Sequence, residues 1–158
     1  PLGVSGRVEP GAITAALASI PAGEPTFVLL AASPWIPLSP ADREALRGTL
    51  SGAAARQPLV VVVDDGWEGV AAEEAPSTCL FWDLVGCHPN LIPVKVDGAD
   101  RSFPGGAIGF LTFPFAPGSG LAEALEMKVK MLLRAAVGSP SAVSQTLLVE
   151  TLAAGHRP

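Results

Sequence analysis

Between residues 94 and 113 the chain reads VKVDGADRSFPGGAIGFLTF, and three of its side chains could do chemistry: Lys95, Asp100 and Arg101. A lysine amine, when neutral, bonds an aldehyde carbon as a Schiff base. An arginine cannot, because its guanidinium stays protonated and delocalised, although it can still hold an anion or a carboxylate. Strand alternation sets Lys95 on the opposite face from Val94 and Val96, so the plainer reading is a snorkelling or ion-paired lysine. A second stretch, VVVVDDGW (60–67), ends in two carboxylates and an indole. A carboxylate there could pair with the protonated ring nitrogen of a bound heterocycle while Trp67 stacks on the ring. The plainer alternative has Asp64 or Asp65 capping a turn and Trp67 packing on the sheet. A third, AASPWIPLSP (31–40), offers Trp35 as a wall and no side-chain amide.

Other chemistries find no support. The chain has no Gly-rich phosphate loop leading into a helix, no G-x-S-x-G and no HExxH. The serines at 39, 119 and 139 read as helix caps rather than nucleophiles. Cys79 and Cys87 are the only cysteines. On one helix their spacing would set them roughly 12 Å apart, beyond the ~7 Å limit of a disulfide. Two reduced thiols fit a cytoplasmic location, and His88 beside Cys87 is too few ligands for a metal.

The elements that must position these residues alternate between helix and strand. Helical spacing is expected over 10–20 (Ile13, Leu17, Ile20) and over 39–55, where Ser39, Pro40 and Asp42 form a helix-start signature. A short helix is expected over 77–86, with Gly86 as its stop, and two longer ones over 119–138 and 139–155, the last capped by Ser139. Apolar runs at 26–32, 58–65, 90–98 and 107–115 read as strands. The class is α/β, with a mostly parallel sheet of about four strands, flanking helices and an antiparallel last strand. In such sheets ligands gather at the carboxyl ends of the strands, which are the three stretches described above.

Composition sets the remaining bounds. The 158 residues suit a single α/β unit, 1–158. Acidic residues outnumber basic ones, 15 to 10, and no basic cluster appears, which argues against a nucleic-acid surface. No apolar run approaches the ~20 residues of a membrane span, and PLGVSGRVEP lacks the features of a signal peptide. Hydrophobic residues make up 49% and charged ones 16%, which is apolar for a free-standing domain. With no initiator Met, the chain fits an excised or processed piece whose surface is meant to be covered.

Taken together, PLVVVVDDGWEG (58–69), LFWDLVGCHPNLIPVKVDGADRSFPGGAIGFLTF (80–113) and EALEMKVKMLLRAAVGSPSAVSQTLL (123–148) resemble the large domain of fold-type I pyridoxal-phosphate aminotransferases. The likeness runs in order from about residue 5 to 153 and is strongest over 58–145. The resemblance implies a Schiff-base lysine at the position of Arg101 and a phosphate-gripping arginine at the position of Ala107. It places a hydroxyl residue where Asp100 stands. The family turn whose Asp holds the pyridine nitrogen and whose Tyr meets the ring hydroxyl corresponds to Asp64-Asp65-Gly66-Trp67. The family's ring-contacting Asn falls near 33–40 and is absent.

Only Asp64 therefore matches the family's cofactor contacts; Trp67 and Arg101 mark vestigial positions. Each lost polar contact costs on the order of 1–3 kcal/mol. The expectation is a non-catalytic, aminotransferase-like module that holds no cofactor and serves a structural or interaction role. The resemblance further implies partners in the N-terminal and C-terminal aminotransferase segments, or in another chain of a homo- or hetero-oligomer. The competing expectation is a pyridoxal-phosphate aminotransferase completed by such segments and using another lysine, such as Lys95. A third is an anion-binding module anchored by Arg101.

Overall fold

The computed structural model describes residues 9–31, 38–64, 80–98, 109–136, 138 and 141–154. The chain divides into two compact units, Pro1–Asp97 with Phe110–Pro114, and Gly98–Gly109 with Phe115–Pro158. The elements run α1 (Pro10–Ala18), β1 (Thr26–Ala31), α2 (Pro40–Ala54), β2 (Leu59–Asp64), α3 (Leu80–Leu84), β3 (Leu91–Gly98), β4 (Gly109–Thr112), α4 (Gly120–Ala136) and α5 (Ala142–Ala153).

The strands form one open sheet in the order β1-β2-β3-β4. β1, β2 and β3 are parallel, and β4 runs antiparallel to β3. The α/β class and the reversed last strand expected from the sequence are both present. Because strand order advances in one direction, right-handed crossovers carry α2 and α3 to the same face of the sheet. The core lies there. Ile13 and Leu17 of α1, Leu46 and Leu50 of α2, and Phe81 and Leu84 of α3 close over Leu59, Val61 and Val63 of β2. Each such side chain contributes about 1.5–3 kcal/mol through removal from water.

Local chemistry fixes where elements begin and end. Ser39 accepts the Asp42 backbone N–H at 3.1 Å, and its hydroxyl donates to the Asp42 carboxylate at 2.7 Å. Pro40 opens α2 behind this cap, as the sequence indicates. Gly86 follows α3 at φ +74°, a conformation that costs a side-chain-bearing residue energy, and the Cys87 N–H returns to the Leu84 carbonyl at 3.2 Å. Ser119 caps α4, accepting the Ala122 N–H at 3.2 Å. For α5 the expected cap, Ser139, is replaced by Ser141, which accepts the Ser144 N–H at 3.3 Å. Two serines bracket Pro140, and the chain uses the one next to the first helical residue. Cys87 lies beyond the end of α3, so the shared-helix spacing considered for the cysteines does not apply; Cys79 is outside the described residues.

The amino ends of the strands are stitched together. Thr26 N–H donates to the Pro58 carbonyl at 2.9 Å and Leu59 N–H to the Asn90 carbonyl at 2.8 Å. The Asn90 amide donates to the Ala54 carbonyl at 3.2 Å, and the buried Gln57 amide donates to the Thr26 hydroxyl at 3.2 Å. This end is closed by hydrogen bonds, which leaves the carboxyl ends as the place for a site.

Candidate functional site: the carboxyl ends of the strands and the open sheet face

Strand register decides which side chains share a face. Val61 pairs with Val28 and Pro93, and Val63 pairs with Leu30 and Lys95, so these residues stand on the helix-covered face. The intervening positions stand on the other face: Phe27, Leu29 and Ala31 of β1, Val60, Val62 and Asp64 of β2, and Ile92, Val94 and Val96 of β3.

Asp64 sits at the carboxyl end of β2, in register with Ala31 on one side and Val96 on the other. It is half-buried, at the place where open parallel sheets present ligand-binding groups. Lys95 occupies the last part of β3, also half-buried, but on the opposite face from Asp64. Both residues interact with other groups of the chain. A heterocycle held by Asp64 on its own face would therefore have the sheet between it and the Lys95 amine. The sequence-based expectation that Lys95 faces away from Val94 and Val96 holds. Trp67 and Arg101, with Asp65, Asp100 and Ala107, lie outside the described residues. Of the three positions singled out as cofactor-binding, the structure thus places Asp64 alone.

Sequence reading missed an ion pair that joins α2 to α3. The Arg43 guanidinium donates to the Asp83 carboxylate, from Nε at 2.8 Å and also from a terminal nitrogen. The two side chains keep 17% and 30% of their surface exposed, so the pair is screened less than a surface bridge. Forty positions separate them, and no local pattern signals such a contact. Nearby, burial pushes the Cys87 thiol above its ordinary pKa, the opposite of what an activated nucleophile needs. Among the described residues no cluster of His, Cys, Asp and Glu could hold a metal ion, and no helix is long and apolar enough to cross a membrane.

The open face has a graded character. Val94 is 8% exposed, Val60, Val62, Ile92 and Val96 are half-buried, and towards the β1 edge Phe27 and Leu29 are 76% and 69% exposed. In parallel sheets both faces are ordinarily covered, which is why such strands are apolar throughout. Here the strand sequences carry that two-sided apolar pattern, yet the β1 side of one face meets solvent. This apolar band ends at Asp64.

No protein-family profile and no curated protein matches this chain. Among solved structures, it is similar to the crystal structure of an aromatic amino acid aminotransferase from Burkholderia cenocepacia J2315. The TM-score is 0.60 at 19% sequence identity, over 88% of this chain and 34% of that one. The likeness is one of fold. The chain spans about a third of the length of the enzyme it matches.

Proposed function

We propose that this chain is a non-catalytic, aminotransferase-like α/β module whose role is to associate with other polypeptide through the open face of its sheet. The observation that carries this reading is the exposure of Phe27 and Leu29 on a sheet face that is otherwise apolar. Covering them would remove two large side chains from water, worth about 1.5–3 kcal/mol each. A surface of this kind marks a docking region more often than a solvent-facing one.

The loss of chemistry supports the same reading. The Schiff-base position that the resemblance implies carries Arg101, which cannot form the imine. Lys95, the nearest substitute in sequence, stands on the face opposite Asp64. The competing reading, a pyridoxal-phosphate aminotransferase completed by further polypeptide, keeps the fold and Asp64 but finds Lys95 on the opposite face of the sheet. The cofactor would be absent and the partner would be protein.

Adding pyridoxal phosphate to the purified chain tests this directly. The expected outcome is no new absorbance band in the visible or near-ultraviolet and no lysine mass increase after borohydride reduction. A reduced pyridoxyl adduct on Lys95, lost in Lys95→Ala, would replace this reading with the enzymatic one.

A further inference from the structure

The two units differ in what holds their helices. In the first, α2 buries Leu46 and Leu50 to 1% and 0% exposure, and α1 and α3 add Ile13, Leu17, Phe81 and Leu84 to the same core. In the second, α4 runs for 17 residues and none of them is buried. Leu121 and Leu132 keep 58% and 67% of their surface, and Met127 and Met131 keep 65% each. Ala122, Leu125 and Val129 are half-buried. Among the described side chains of α5, Val143, Leu147 and Val149 are exposed and Ser144 is half-buried.

Burial of one face supplies most of the stability of a protein helix, and helices shorter than about 12–15 residues are marginal in water without it. Opening α2 would expose its core leucines, whereas opening α4 or α5 uncovers little apolar surface that is not already wet. What holds α4 is local. Ser119 caps it, Lys130 bridges to Glu126 at 2.5 Å, Arg134 stands in its last turn, and Ala, Leu, Glu, Met and Lys, all strong helix formers, fill most of its length. α5 has less support. It is 12 residues long, and Val143, Thr146 and Val149 are β-branched. The Thr146 hydroxyl donates to the Ala142 carbonyl at 2.9 Å, a bond that slightly weakens a helix.

We infer that α4 and α5 form an order–disorder element, which unfolds and refolds while the sheet core stays native, α5 more readily than α4. The chain then has two levels of stability in place of one cooperative transition. Opening of α4 frees the backbone at Lys128, Lys130 and Arg134, residue types after which a trypsin-like protease cuts. This goes beyond the proposed function and rests on burial in the second unit, not on the open face of the sheet. A pyridoxal adduct on Lys95, or an open face that binds no dye, would bear on that function and leave this inference standing.

Native-state hydrogen exchange of the full 158-residue chain, read by mass spectrometry over each element, provides the test. Amides of α4 and α5 are expected to exchange at least about a hundredfold faster than those of α2 and β2, with α5 the fastest. Ala124→Gly, at an exposed position of α4, should speed α4 about fivefold and leave α2 and β2 within about twofold. Phe81→Ala should speed α2 and β2 and leave α4 and α5 within about twofold. Brief trypsin treatment should cut within α4 while the chain after Arg43 and Arg47 of α2 stays intact. Protection of α4 equal to that of α2, α5 slower than α4, exchange in both units rising together in either variant, or cleavage in α2 before α4 would each overturn the inference.

Discussion

The two faces of the sheet are built from the same kinds of residue and have different fates. On one, Val61 and Val63 are buried beneath α2 and α3. On the other, Phe27 and Leu29 stand in solvent one residue along from Val28, which packs against the core. Composition does not separate them; topology does. A strand order that advances one way places both crossover helices on one face, so those connections leave the other face open. The lesson is that an apolar strand reports that both of its faces want cover, and strand order reports which face its own connections can reach.

Substitutions on the two faces should diverge accordingly. Phe81 is fully buried, and Phe81→Ala is expected to cost about 3–5 kcal/mol, read as a lower midpoint in urea unfolding, because the cavity cannot refill. An undiminished midpoint would mean that the covered face is not the core. Next in size is the link between the two covering helices. Asp83→Ala leaves Arg43 without its carboxylate in a partly dry setting, and roughly 1–3 kcal/mol should be lost; Arg43→Met/Asp83→Leu should recover much of this. A smaller effect attends the cap of α2, where Ser39→Ala removes the acceptor for the Asp42 N–H and costs about 1 kcal/mol. Smallest are Phe27→Ser and Leu29→Ser, expected within about 0.5 kcal/mol of wild type because these side chains make little contact in the isolated chain. A loss of several kcal/mol from either would show that the open face is covered within the chain itself.

Much of the fold was legible from sequence because its signals are local. Ser39-Pro40 with Asp42 marks the start of α2, Gly86 marks the turn after α3, and the valine run of β2 marks a central strand. What escaped was non-local. The Arg43–Asp83 pair joins residues on different helices, and the exposure of Phe27 follows from strand order rather than from any property of TFVLLA. Ser141 in place of Ser139 is a case where two residues offer the same chemistry and position alone decides. Of the site, the face of Lys95 was legible, since strand alternation is a strict period of two. Its separation from Asp64 was not, since that depends on how β2 and β3 are registered.

The central claim is that the open face is a docking surface, and an apolar fluorescent dye measures that most directly. The wild-type chain, folded by circular dichroism, should bind the dye and show concentration-dependent light scattering, and Phe27→Ser/Leu29→Ser should bind measurably less dye with its fold intact. A wild-type chain that stays monodisperse and binds no dye would contradict the claim.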